Sequence, residues 1–360
     1  MTRRRLRIAL FACLAFLPPF AATAAETGSA PVDVAARPFS RFALGSSETH
    51  FGALEFLGGL QLTSSDKRFG SFSGLDFAAD GKTLYAVSDT GFWFTARLTE
   101  TDGRPQGIAE ARLAPMLDPA GRPFKSKNAA DAEGLRIVSH NGRETAYVSF
   151  EQRAAVARFA AAPDIAAAKR SDLRLPKFIN HLRANKGLEA LAVAPADGPL
   201  AGALVAIAER SLDSAGNHRG FILGGKRAGT FSLVRNEPFD VTDAAFLADG
   251  DLLVLERSFS YTSAFGMRLR RIPGAAIRPG ATVDGPVLIR ADVGNQIDNM
   301  EGLAIRTGAT GETILTLISD DNGNRLLQRT ILLQFALVPP SPTAPPPAAP
   351  PPTPVLRPTL

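Results

Sequence analysis

Five stretches of this chain repeat one pattern, and that repeat dictates a modular β architecture. Each stretch opens with a short apolar run entered through a small or acidic residue. It then turns and returns as a second apolar run that closes on an acid. Residues 72–77 and 84–89 form the first pair, around Asp80-Gly81. The second pair is 132–137 and 146–151, around Asn141-Gly142, and the third is 188–193 and 204–209. The fourth joins 243–247 to 252–256 through Asp249-Gly250, and the fifth joins 301–305 to 314–320. Asp-Gly and Asn-Gly between apolar runs are signals for tight hairpins. The runs are continuous rather than alternating, as strands buried on both faces are. More polar strands follow, such as 95–99 and 267–272. Two buried strands followed by two outer ones make a four-stranded propeller blade.

The expected fold is therefore all-β, a β-propeller with five repeat units counted and room in the loops for a sixth blade. The units open at Ser73, Glu133, Glu189, Asp243 and Glu301, at spacings of 60, 56, 54 and 58 residues. A ring must close, and the strand-like run 53–62 before the first repeat is placed to complete the last blade. Long helical patterns are absent, which disfavours an α/β barrel.

The repeat also places chemistry. In an antiparallel hairpin the start of the first strand and the end of the second lie at the same end of the sheet. The opening residues above therefore neighbour the closing residues Asp89, Glu151, Glu209, Glu256 and Asp320. Nine of these ten positions are acidic, in a chain with only 35 acids in 360 residues. Inner strands line a propeller's channel, so the carboxylates are expected to crowd one rim. Like charges that close need protons or cations. Calcium suits such a site, since it takes several oxygen ligands in flexible geometry. Arginines near the closing acids (Arg153, Arg210 and Arg257) would instead bridge them. Ser319-Asp320-Asp321-Asn322-Gly323-Asn324 has the oxygen-rich, Gly-containing character of a calcium loop, without the terminal Glu of an EF-hand.

Both ends look foreign to the folded domain. Residues 1–25 carry Arg3, Arg4, Arg5 and Arg7, an apolar run over 8–20 and the small residues Ala22-Thr23-Ala24, the layout of a secretory signal peptide. The run is too short, and too interrupted by Pro18 and Pro19, for a spanning helix. The expected location is thus the periplasm or the medium, with no stable membrane span after cleavage. Residues 26–49 read as a lead-in, 50–337 as the propeller, and 338–360 as a proline-rich extended tail. The net charge of +5 includes the four leader arginines, so the mature chain has 36 basic against 35 acidic residues, or +1. That balance gives no nucleic-acid footprint. The single Cys13 lies in the leader, which excludes disulfides and Cys-ligated metal from the mature chain. The four histidines are scattered without zinc-site spacing. No G-x-S-x-G elbow, Walker loop or H-E-x-x-H occurs; Gly70-Ser71-Phe72-Ser73-Gly74 puts Phe where the nucleophile belongs.

Ala132-Glu133-Gly134-Leu135, Asn185-Lys186-Gly187-Leu188-Glu189-Ala190-Leu191 and Met300-Glu301-Gly302-Leu303-Ala304 resemble the phytase-like family of exported bacterial proteins, whose label is esterase-like activity. So do Leu84-Tyr85-Ala86-Val87-Ser88-Asp89 and Ser319-Asp320-Asp321-Asn322-Gly323; the resemblance covers about residues 50–337. The name points to calcium-dependent β-propeller phytases, six-bladed enzymes that hydrolyse phosphate monoesters. What the resemblance implies is a metal-bridged phosphate attacked by a metal-activated water. Metal ligands would come from Asp89, Glu133, Glu151, Glu189, Glu209, Asp243, Glu256, Glu301 and Asp320. Arg153, Lys186, Arg210 and Arg257 would be the catalytic phosphate clamps. The expected partner is a small phosphate or other ester, met by a monomer. Two other readings stand beside it. One is a non-catalytic envelope propeller that binds a small ligand or protein, and the other is a lactonase-like propeller with one channel metal.

Overall fold

The computed structural model describes residues 28–338, apart from 153 and 183–186. The leader and the proline-rich tail lie outside the described residues. Five sheets make five blades, antiparallel except where Thr282–Val283 adds parallel to the outer edge of the third, and each innermost strand packs beside the next, with the fifth back against the first. The inner strands are Phe72–Phe77, Ala132–His140, Leu188–Val193, Asp240–Phe246 and Asn299–Thr307. Each pairs with the strand that follows it: Thr83–Ser88, Arg143–Phe150, Leu204–Leu212, Leu252–Ser260 and Thr313–Asp320. The protein is an all-β, five-bladed propeller.

Local sequence explains the hairpins. In the second blade His140 faces Arg143 across a two-residue turn. Asn141 and Gly142 both take positive φ there, 50° and 73°, as the tight hairpin turn requires. Packing explains the ring. Five separate apolar clusters fill the five spaces between neighbouring blades. A strand buried on both faces has no polar side to show, which is why the inner runs do not alternate.

Closure is as the sequence predicts. Leu54–Thr63, near the start of the described chain, pairs with Thr330–Leu337, and Leu62 faces Thr330. Ala35–Phe39 adds outside it, while Ala30–Pro31 joins the outer edge of the first blade. The lead-in is thus part of the propeller rather than an appendage. Among the described residues no helix is long and apolar enough to cross a membrane.

Candidate metal centre

Each inner strand carries a register irregularity where it enters the channel rim. The pairing steps over Ser73 in the first blade, Glu189 in the third, Thr242 in the fourth and Glu301 in the fifth. In the second blade it is disturbed across Glu133 and Gly134. A bulge of this kind inserts an extra residue and re-aims its side chain. The glycine behind it has a reason too. A Cβ on Gly74 would lie 2.5 Å from the Glu133 carbonyl oxygen, and one on Gly134 would lie 2.8 Å from that of Glu189. Neighbouring inner strands approach so closely that these positions have little room for a side chain.

The result is a polar cavity of about 290 Å³ at one mouth of the channel. Asp89, Asp131, Glu133, Glu151, Glu189, Glu209, Glu301 and Asp320 line it, with Ser73, Lys127 and Arg257. Seven of the nine acids expected at the rim are therefore brought together. Asp131 was not expected there. It precedes the repeat frame, but it stands two residues before Glu133, the spacing that returns an extended chain to the same side.

The fourth blade corrects the expectation. The bulge falls on Thr242 and Val241 faces Glu256, so Thr242 and Arg257 occupy the rim positions, one residue away from Asp243 and Glu256. A one-residue slip moves a strand side chain to the other face. Glu256 is accordingly fully enclosed within its blade, bound by Arg268 at 2.6 Å and Arg270 at 2.6 Å. Asp243 sits deeper in the channel. It accepts from Arg136 at 2.7 Å, across from the second blade, and from the Leu303 amide at 2.8 Å. Arg136 and Asp243 thereby bridge the channel beneath the acidic cavity.

The cations divide the rim. Arg257 lies 3.2 Å from Glu209 and 3.0 Å from Glu301 and donates to Asn299, filling the side of the third, fourth and fifth blades. Lys127 lies 2.5 Å from Asp89. Arg210 turns instead to Asp240, 2.6 Å away, outside the cavity. Arg153 and Lys186 lie outside the described residues. In the loop that resembled a calcium site, Asp321 accepts the Ser71 and Gly323 amides and Asp320 accepts the Asn322 amide, while Asp320 and Asn322 also line the acidic cavity.

Against this small positive charge, the carboxylates are crowded and mostly half-buried. Burial pushes the Glu133 and Glu189 carboxyls well above the usual range, and the neighbouring acids push them further. Burial, aided by Asp131 and Glu209, raises Glu151 to about 7. Glu301 rises to about 8 by burial although Arg257 opposes it, and Asp320 rises to about 7. One carboxyl oxygen of Asp89 is buried without a hydrogen bond among the described residues.

These residues fit a divalent cation. Asp131, Glu133 and Glu151 each offer an oxygen within 4.8 Å of the other two, on the side Arg257 leaves open. An all-oxygen, carboxylate-rich set is the donor chemistry of hard divalent cations such as calcium, magnesium or manganese. Without a cation, these carboxyls hold their protons to higher pH than free ones do.

The family described as "Phytase-like: Esterase-like activity of phytase" matches residues 67–323 of the chain. No curated protein matches it. Among solved structures, a thermostable family-43 glycoside hydrolase is 10% identical, covering 77% of this chain and 96% of its own, with a TM-score of 0.46. The Cellvibrio cellulosa alpha-L-arabinanase is 12% identical over 73% of this chain and 91% of its own, at 0.40. The Cps50 (Swd1) β-propeller domain of Myceliophteria thermophila is 11% identical over 83% and 100%, at 0.35.

Proposed function

Since the chain belongs to the phytase-like family, we propose that it is an exported hydrolase of phosphoric esters that uses calcium on the acidic rim. The observation that carries this reading is the Asp131–Glu133–Glu151 triplet opening into a cavity of eight carboxylates. These three residues would hold the cation, and Glu189 lines the same cavity. A bound divalent ion supplies polarisation of an ester oxygen and a water of lowered pKa.

The chain's own residues do the rest. Lys127 and Arg257 are the described cations on the cavity wall, and they would neutralise ester oxygens brought there. Arg257, enclosed between Glu209 and Glu301, is fixed in place and offers its charge without reorganising. The Arg136–Asp243 ion pair crosses the channel beneath the cavity. Of the four cations expected from the sequence, Arg257 stands on the cavity wall and Arg210 turns to Asp240, while Arg153 and Lys186 lie outside the described residues.

The test is phosphate release from a generic monoester with calcium and with chelator. Calcium-dependent turnover that Glu133→Gln abolishes supports the reading. A melting temperature that rises with calcium while several esters stay intact would leave a binding propeller in its place.

A further inference from the structure

Beside the acidic rim lies a second, larger cavity of about 500 Å³, with a thin wall between the two. Phe150, Asn128 and Ala129 line this cavity, while Glu151, Lys127 and Asp131, within two residues of them, line the rim. Arg170 and Asp172 stand on its outer side, where the last strand of the second blade pairs in. Phe124 and Lys125 complete it from the segment linking the first two blades. The proposed hydrolysis uses none of these outer residues.

Arg170 is fixed in place but not spent. Its guanidinium lies 4.0 Å from the centre of the Phe150 ring and 5.7 Å from that of Phe124. Nε donates to Asp172 at 2.6 Å, and the side chain is only 12% exposed. Among the described residues no acceptor meets its two Nη groups, and neither is among the polar atoms buried without a partner. Both therefore keep some exposed surface, and their N–H bonds can reach a molecule in the cavity that Arg170 lines. A guanidinium held flat against a ring loses little further freedom when it binds.

Charge and surface select the ligand. Asp118 pairs with Arg122 at 3.2 Å and Asp172 with Arg170, which leaves the lining one positive charge in excess, on exposed Lys125. Lys169, beside Gly121, adds a second cation just outside the lining. The flanking acids Asp131 and Glu151 turn to the rim, where their carboxylates converge with Glu133. An anion is therefore favoured. Two parallel N–H groups on one guanidinium match the two oxygens of a carboxylate. Phosphate keeps a further charged oxygen, which the apolar walls formed by Phe124, Pro119 and Ala155 would desolvate at a cost.

We infer that this cavity binds a small apolar carboxylate of arylalkyl type, its oxygens on the Arg170 Nη groups and its body against Phe124 and Pro119. The site stands whether or not the rim hydrolyses esters.

The experiment is a backbone-amide NMR titration of the protein, with and without calcium, using phenylacetate, its neutral amide and inorganic phosphate. The expected result is saturable shifts with phenylacetate alone, in both conditions, centred on the amides of Phe124, Lys125, Asn128 and Arg170. Arg170→Gln weakens that binding roughly tenfold or more, the loss of a charged hydrogen-bond donor. Lys125→Glu reverses the excess charge and weakens it about threefold. Should Arg170→Gln fail to fold, Lys125→Glu decides, since the Lys125 side chain is exposed and makes no ion pair among the described residues. The inference is overturned by the absence of saturable shifts with phenylacetate, by equal binding of the amide, or by phosphate binding in its place. Binding that requires calcium, which would put the acid on the rim, overturns it too, as does binding that the folded variants leave unaltered.

Discussion

Glu133, half-buried in the rim cavity, and Glu256, fully buried in its blade, are both carboxylates, yet their surroundings give them opposite fates. Glu256 is held by two arginines within its own blade. Glu133 faces Asp131, Glu151, Glu301 and Asp89, which push its proton affinity up on top of burial. Glu256→Ala is therefore expected to cost about 3–5 kcal/mol, because it strands buried charge on Arg268 and Arg270. Urea unfolding measures this, and the calcium-induced rise in melting temperature should persist in the variant. If it vanished, Glu256 would belong to the rim after all. Glu133→Gln is expected to behave the other way round. In chelator at pH 8 it melts no lower than the parent, since a repelling charge has gone. With calcium it loses most of the parent's gain. A variant that melts lower in chelator and keeps the full gain would rule out Glu133 as a ligand.

At the scale of elements, the bulge at the head of each inner strand sets the rim. Gly74→Ala brings a Cβ to 2.5 Å from the Glu133 carbonyl and 2.8 Å from the Leu135 amide nitrogen, backbone atoms that cannot swing aside. A loss of about 1–3 kcal/mol is expected, together with weaker calcium binding as Glu133 is displaced. Differential scanning calorimetry with and without calcium reads both. The bulge also explains what could be read from the sequence and what could not. The five paired runs and the closing strand were legible because apolar continuity marks them directly, reinforced by Asp-Gly or Asn-Gly turns in the first, second and fourth pairs. The fourth blade was misread by one residue because its runs, Val241-Thr242-Asp243-Ala244 and Leu255-Glu256-Arg257, offer an acid at the wrong phase. A bulge consumes a residue without leaving a composition mark, so only backbone pairing separates Thr242 from Asp243. Asp131 was missed for the related reason that it precedes the repeating frame.

For the whole molecule, the rim makes stability depend on pH. Glu151, Asp320 and Glu301 have folded-state values of about 7, 7 and 8, against roughly 4 for unfolded carboxylates. A raised folded value gives stability that is complete below the unfolded pKa and is lost as pH rises through the folded one. In chelator, this cluster's contribution should therefore fall between about pH 4 and pH 8. Calcium competes with the same protons, so its stabilising effect should be larger at pH 8 than at pH 5.5. Thermal melts across that range with calcium and with chelator test this. A calcium effect that is flat with pH would mean that the ion binds away from these acids.

The pairing of Leu62 with Thr330 also has a consequence in time. The strand made almost first cannot find its neighbour until nearly the whole domain has been synthesised, 268 residues later. Until then the fifth sheet lacks its partner strand, the ring stays open, and the apolar faces of the first and last blades have no cover. Folding is thus tied to the completion of the chain rather than its progress. A chain ending at residue 329 should stay protease-sensitive although four of its blades are complete. Under the proposed export, such a late lock would keep the chain threadable until its last strand arrives.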